Sequence, residues 1–394
     1  MSANTVYIVD GARTPMGGLG GALAGVAAPE LAAVAARSAL GKSGIPADAV
    51  DEVFMGCVLP AGLKQCPARQ TAIAAGIPVS AGAVTVNKAC GSGMQATIFG
   101  IDSIRAGTNQ IVLAGGMESM SNAPHLLPGA RAGYRLGSAV AYDHMMIDGL
   151  EDAYEGRAMG TYAQTAADEE SISREDMDAF AVESLRRAKD AIERGALRDE
   201  IAPVTVSTRR GDVVVSDDEQ PFKADIERIP SLKPAFASNG TITAANASSI
   251  SDGGSALVLA SESAVREHNL SPRARVVAHS RHSQAPGEFT RAPIGAMDKL
   301  FKSSGWLASQ VDLFEINEAF AMVTMLAMRA FDLPHDRVNV HGGACAQGHP
   351  IGSTGSRILI TLMHALAHRG SKRGVAALCI GGGEATAMAI ERCE

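Results

Sequence analysis

Short apolar runs rich in Val, Ile and Leu recur at residues 6–10, 52–59, 84–87, 110–115, 256–260, 275–279, 313–317, 375–381 and 387–391. Several are apolar at every position, as strands covered on both faces are. Between them, apolar residues return at helical spacing over 30–41, 93–106, 318–330 and 353–368. The alternation predicts an α/β architecture. A charged stretch breaks the rhythm. Ser173 and Asp176 read as a Ser-x-x-Asp capping box, and Met177, Phe180, Leu185, Ala188 and Ile192 form one apolar stripe that Gly195 ends. Residues 204–207 and 213–216 flank Arg209-Arg210-Gly211-Asp212 and predict a hairpin, whereas 121–149, rich in Gly, Pro, Met and Arg, has no period and predicts loop.

One order of elements occurs twice. Val84-Thr85-Val86-Asn87 leads through a Cys/Gly loop into an apolar helix, then a strand that ends Gly115-Gly116-Met117-Glu118. Far downstream, Val338-Asn339-Val340-His341 leads through a Gly/His loop into another apolar helix, then a strand that ends Gly381-Gly382-Gly383-Glu384. We infer two related halves, each presenting a loop to a shared site. The expected division is 1–118 with 249–272 as the first half, 119–248 as an insertion, and 273–394 as the second half.

The chain has 394 residues, which suits about two to three domains. Its net charge of -7 argues against a general nucleic-acid surface, and no apolar run reaches the roughly 18 residues of a membrane span. Neither Met1-Ser2-Ala3-Asn4-Thr5-Val6 nor Glu391-Arg392-Cys393-Glu394 carries a targeting signal, so the expectation is a cytoplasmic protein. Six scattered cysteines form no disulfide framework.

Three of the Gly-rich loops place reactive side chains among bare backbone N–H groups. Cys90, in Asn87-Lys88-Ala89-Cys90-Gly91-Ser92-Gly93, sits where a strand turns into a helix, a position expected to lower a thiol's pKa. His349, in Gly348-His349-Pro350-Ile351-Gly352, is held at a loop tip and suits a general base or an oxyanion donor. Cys379 closes an apolar strand at a triple glycine, where a second thiol suits proton shuttling and Gly381 has an N–H to lend. Asn317, before Glu318-Ala319-Phe320, reads as a water holder or as a plain helix cap, and Phe320 as acyl-pocket wall or core. Singly, each has an ordinary structural reading; together they point to acyl transfer through a thioester. A zinc reading of His341, Cys345 and His349 lacks a fourth ligand.

At these loops the chain resembles the thiolases, the family of acetyl-CoA acetyltransferases and 3-ketoacyl-CoA thiolases. The resemblance rests on Gly11-Ala12-Arg13-Thr14-Pro15, residues 87–93, Ala114-Gly115-Gly116-Met117-Glu118-Ser119-Met120-Ser121, Met159-Gly160, Thr243-Ala244-Ala245-Asn246-Ala247-Ser248, 317–320, 342–352 and 379–383. It implies a five-layered αβαβα fold of two duplicated halves with an inserted loop domain that binds coenzyme A. It implies Cys90 as the acylated nucleophile, His349 as its activator, and Cys379 as the acid and base at the substrate α-carbon. One oxyanion hole is implied at His349 with a water held by Asn317, the other at the N–H groups of Cys90 and Gly381. Met159, Phe236, Ala244 and Ser248 match pantetheine contacts, and Lys223, Arg228 and Lys233 are candidates for the coenzyme's phosphates. Phe289 and Phe320 match the acyl pocket, where Ala158 replaces the His of many biosynthetic members.

The implied activity is Claisen condensation of two acetyl-CoA, or its CoA-dependent reversal. The alternatives are a broader-chain degradative thiolase, a decarboxylating ketoacyl synthase, and a non-catalytic acyl-CoA- or lipid-binding relative. Coenzyme A is then substrate and product, with no cofactor, metal, nucleic acid or membrane partner implied. Residues 120–136 match a loop that builds a homotetramer from dimers.

Overall fold

The computed structural model describes residues 5–393; residues 1–4 and 394, on which part of the targeting expectation rests, lie outside them. The expected strands form. They are β1 (Val6–Arg13), β2 (Glu52–Gly56), β3 (Gly82–Val86), β4 (Ile111–Ser119), β5 (Ser251–Ser261), β6 (Ala274–Ser283), β7 (Leu313–Ile316), β8 (Arg373–Ile380) and β9 (Glu384–Arg392). Every residue of β4 and β5 is buried, as their unbroken apolar centres require. The main helices are α1 (Ala28–Ser43), α2 (Pro67–Ala74), α3 (Ser92–Arg105), α4 (Met159–Glu169), α5 (Arg174–Glu193), α6 (Ala292–Ser304), α7 (Ala321–Phe331) and α8 (Thr354–His368).

The strands lie in the order β3-β2-β4-β5-β1-β6-β9-β8-β7, which reads as one arrangement written twice about its middle. In the first half, β2 runs parallel to β3 and β4, and β5 pairs antiparallel with β4 and β1. In the second, β7 runs parallel to β8, and β9 pairs antiparallel with β8 and β6. Val338 completes the symmetry with a parallel bridge to Phe314 on β7, in the place β3 takes beside β2. The halves are joined edge to edge by the short register Tyr7↔Arg275 and Ile8↔Ala274.

Three helical layers enclose these two sheets. Ala32, Ala36 and Leu40 of α1 cover Val53, Met55 and Val258 on one outer face. Met297 and Leu300 of α6 cover Phe314 and Val375 on the other. Between the sheets, Met94, Ile98 and Ile101 of α3 and Ile358, Leu362 and Leu366 of α8 fill the central layer. Buried from Thr354 to Leu366, α8 has protein on every side, and it takes Ser356, Arg357, Thr361 and His364 inside along with its apolar residues. Among the described residues, no helix is long and apolar enough to cross a membrane.

Residues 120–250 leave the sheet between β4 and β5. Ser173 caps α5 through the Asp176 N–H, at 3.0 Å, as expected, and the hairpin forms between Val204–Thr208 and Gly211–Val215. Three of the main helices went unanticipated: α2, α4 and α6. Pro67 and Pro293 stand at their own helix starts, where proline is welcome, but they read as breakers without that context. The helix expected from 318 starts instead at Ala321, because Ala319 and Phe320 pair with the strand-like segment at 246–248: the Ser248 N–H donates to the Ala319 carbonyl at 3.0 Å and the Ala321 N–H to that of Asn246 at 2.8 Å.

A buried ion cluster fastens the excursion to the first half. Arg13 (1% exposed) donates to Glu200 at 2.6 Å and bidentately to Asp218 at 2.7 and 2.9 Å. Removing one member of such a cluster strands the others without compensation, at a cost of about 3–5 kcal/mol. Arg13→Ala is therefore expected to lower unfolding stability by about that much, read as a shifted urea midpoint. A shift equivalent to under about 1 kcal/mol would mean that the cluster is solvated.

Candidate active site

The turn from β3 into α3 is strained and locked. Ala89 adopts a left-handed conformation at φ 43, unusual for a residue with a side chain. Asn87 Oδ1 accepts the Ala89 N–H at 3.0 Å, while Ser92 Oγ accepts the Lys88 N–H at 2.8 Å and donates to the Ala89 carbonyl at 2.7 Å. These bonds hold Cys90 just outside the N-terminus of α3. Gly91 lacks a side chain where a Cβ would press on Ile380, at 2.8 Å from Cγ1, so the nucleophile loop lies against the end of β8.

Two buried carboxylates place the imidazole loop. Glu118 (1% exposed) accepts the N–H groups of Val58, Leu59 and Gly352 at 3.0, 3.1 and 2.9 Å, joining a first-half loop to the turn after His349. Burial pushes its carboxyl up to about 7, and the three N–H donors hold that rise in check. Glu318 (0% exposed) accepts Ser184 Oγ at 2.8 Å, Asn339 Nδ2 at 2.7 Å and the Cys345 N–H at 3.1 Å; burial raises its carboxyl too. The His349 ring is buried, its Nδ1 lies 2.6 Å from Thr354 Oγ1, and its Nε2 has no partner among the described residues. Desolvation, with the Arg357 charge, lowers its pKa to about 3.

Cys379, on β8, is buried, and burial raises its thiol well above the ordinary value, with Cys90 adding to the rise. Beyond it Gly382 and Gly383 turn at φ 90 and 84, a conformation glycine adopts freely. The N–H groups of Gly381 and of Cys90 itself both face the Cys90 sulfur. Lys88 of the first loop pairs with Glu384 just past this turn.

One cavity of 440 Å³ collects these groups: Cys90, His349, Cys379 and Gly381 all line it. Met159, Phe236, Ala244, Ser248, Phe289 and Phe320 line it as well, and so does Ala158. Asn317 does not. It is 1% exposed behind the wall, its N–H bonded to the Ala377 carbonyl at 2.9 Å and both amide atoms of its side chain without a partner among the described residues. Lys223 lies outside the cavity, paired with Glu219 in an adjoining cleft of 290 Å³ that also holds Arg228 and shares Ala244 and Ser249 with the cavity. Lys233 lines neither. His341 and Cys345 stay outside the cavity, and among the described residues no three of His, Cys, Asp and Glu converge as metal ligands.

Sequence reasoning missed several members. Met146 and Leu150 reach the wall from the segment expected to be loop, where one π-helical turn, Met146–Leu150, presents them. Glu118 and Glu318 belong to the motifs that carry the resemblance, yet nothing in their spacing marks them as clamps. The expected lowering of the Cys90 thiol is reversed. Desolvation dominates and raises it, Glu118 pushes the same way, and the N–H groups of Gly381 and Cys90 oppose them.

Models of the family described as "Thiolase, N-terminal domain" and "Thiolase, C-terminal domain" match residues 6–263 and 270–392. The chain belongs to the thiolase family. It is 47% identical over 389 residues to an acetyl-CoA acetyltransferase of Schizosaccharomyces pombe, covering 98% of each chain, and 44% identical to one of Pseudomonas aeruginosa, covering 98% of this chain and 99% of that one. Among solved structures, the Acat5 thiolase of Ascaris suum in complex with coenzyme A superposes at a TM-score of 0.94 with 41% identity, covering 99% of this chain and 100% of that one. The acetyl-CoA acetyltransferase of Bacillus anthracis superposes at 0.97 with 38% identity, covering 99% of each.

Burial raises both cavity thiols above the ordinary thiol value, which favours their protonated forms near neutral pH. Carbamidomethylation of Cys90 by iodoacetamide should therefore climb about tenfold per pH unit from 7 to 9, because only thiolate reacts. Peptide mass spectrometry measures it, and a plateau beginning below pH 8 would reveal a resting thiolate.

Proposed function

We propose that this thiolase is an acetyl-CoA C-acetyltransferase that condenses two acetyl-CoA to acetoacetyl-CoA, or runs the reverse thiolysis, through an acetyl-Cys90 intermediate. One observation carries the reading: two thiols, one imidazole and two N–H donors share an apolar cavity that adjoins a cleft holding Lys223 and Arg228. Apolar walls suit a pantetheine arm, and the cations suit its phosphates.

The chemistry balances within that cavity. Cys90 Sγ attacks the thioester carbonyl as His349 Nε2 takes its proton, and the developing oxyanion is met by N–H groups. The carbon–sulfur bond to coenzyme A breaks, and the departing thiolate leaves with the proton of Cys379. The Cys379 thiolate then removes the α-proton of a second acetyl-CoA. The enolate attacks acetyl-Cys90, and the Cys90 sulfur departs with the proton held on His349, restoring both thiols. Asn317, its side-chain amide free of protein partners, is available to hold a water for the second oxyanion.

The broader-chain reading draws support from Ala158, Met146 and Leu150, which keep that part of the lining apolar. We assign the chain to the cytoplasm and to a homotetramer built through the loop at 120–136. Leu127 (52% exposed), Tyr134 (46%) and Leu136 (102%) there present apolar surface that association would cover.

Incubation with acetyl-CoA alone is expected to leave one acetyl group on Cys90, read by intact-mass and peptide mass spectrometry. An unmodified chain, or an acetyl group on another cysteine, would end the assignment. Repeating the experiment with longer acyl-CoAs decides chain length, since a short-chain enzyme loses acylation rate as the chain grows. Sedimentation should find a tetramer, and Leu136→Glu should split it into dimers; a wild-type dimer would remove the loop's role.

A further inference from the structure

The catalytic reading assigns a task to Nε2 of His349 and leaves its other nitrogen unexplained. Among the described residues no carboxylate meets that ring; Nδ1 faces Thr354 Oγ1 at 2.6 Å. A contact this short contains one proton, contributed either by Nδ1–H or by the hydroxyl. Thr354 Oγ1 also lies 3.0 Å from the Pro350 carbonyl, one helical turn back, and donates to it. With its only hydrogen committed there, the hydroxyl can only accept from the ring. The proton then sits on Nδ1, and Nε2 keeps a lone pair.

The burial of the ring argues the same way. Nε2 is buried without a partner among the described residues. An N–H there would be an orphaned buried donor, costlier than an under-used acceptor. The catalytic cycle adds a further constraint. Once Nε2 takes the Cys90 proton, both ring nitrogens carry hydrogen, and Nδ1–H needs an acceptor in a site that lowers the pKa of the imidazole to about 3. A hydroxyl backed by a carbonyl supplies that acceptor without adding a full negative charge beside the thiol.

We propose that Thr354 is the positioning residue that selects the Nδ1–H tautomer of His349 and steadies its imidazolium through a Thr354-to-Pro350 relay. The inference rests on His349 acting as base. Its location favours the role: Thr354 begins α8, which is buried along almost its whole length between the two sheets, so the hydroxyl is held by the core rather than by a loop.

The test pairs Thr354→Val, nearly equal in volume, with Thr354→Ser, which keeps the hydroxyl. Single-turnover acetylation of Cys90 is expected to slow by about 100-fold in the valine variant, the low end of what a general base contributes. The acetyl-CoA concentration for half-saturation should stay unchanged, and serine should restore the rate to within a few-fold. Nitrogen-15 NMR of histidine-labelled protein, with the His349 signal identified by its loss in His349→Asn, should show hydrogen on Nδ1 in wild type and serine and its transfer to Nε2 in valine. Wild-type acetylation by the valine variant, or hydrogen on Nε2 in the resting wild type, would overturn the proposal. If wild-type Cys90 takes no acetyl at all, the functional reading fails, while the tautomer measurement still decides the assignment of Thr354.

Discussion

Buried carboxylate, bonded to backbone N–H groups of loops that belong to different halves, is the constraint on which this site depends. No single element carries the reactive groups. Cys90 comes from a turn after β3, His349 from a loop before α8, and Cys379 from the end of β8, so their mutual geometry is only as firm as the loop contacts. Glu118 satisfies three otherwise bare N–H groups, Gly352 among them, and Glu318 satisfies the N–H of Cys345 together with Ser184 and Asn339. Taking a carboxylate out of water costs several kcal/mol. Each hydrogen bond to a charged group returns about 1.5–3 kcal/mol. Three such bonds roughly offset the cost, leaving little net stability and a large gain in definition. The raised carboxyl of Glu118, near 7, shows how fine that balance is.

The duplication explains where the chain was free to diverge. The strands β4 and β8 occupy equivalent places, and both end near a Gly-Gly-x-Glu sequence. In the second half the chain turns at once: Gly382 and Gly383 carry the left-handed angles and Glu384 opens β9. In the first half Glu118 still lies within β4, and residues 120–250 intervene before β5 takes the place of β9. One glutamate therefore ends inside, clamping loops, and the other at the rim, paired with Lys88. The same local pattern thus serves two ends, a tight turn in one half and a long excursion in the other making the difference. That excursion then supplies Met146, Met159 and Phe236 to the cavity, so one half lends walls to chemistry drawn from both.

Legibility in the sequence followed locality. The apolar runs of β4, β5 and β8 and the apolar length of α8 are local signals, and they located the sheets and the central layer. Repetition of the strand–loop–helix order revealed two halves because duplication writes the same local pattern twice. The helices α2 and α6, which open at proline, were harder to read because proline inside a helical pattern also ends a helix. The start of α7 was misplaced because the pairing of Ala319 and Phe320 with 246–248 joins positions far apart in the chain. At the site, motif order gathered Cys90, His349, Cys379 and Gly381, while Asn317 proved to lie behind the wall rather than on it. Charge states lay beyond reach. A helix N-terminus is visible in a sequence, but the desolvation that outweighs it at Cys90 exists only once the cavity is closed.

That desolvation gives the site its chemical character. Burial moves the ionisable groups of the cavity toward neutrality: both thiols upward and the imidazole downward. A resting thiolate–imidazolium pair would be the costly state here, so proton movement has to accompany bond making instead of preceding it. The requirement is useful for a reaction that runs either way. A permanently charged nucleophile would favour attack and resist departure, whereas the proposed cycle asks Cys90 to do both. In the cycle proposed above, neutral groups in an apolar cavity, with N–H donors set for the transient oxyanion, suit an acyl-enzyme that has to form and break in turn. The buried clamps hold that geometry, and apolar side chains line the cavity in which the proposed acyl group would sit.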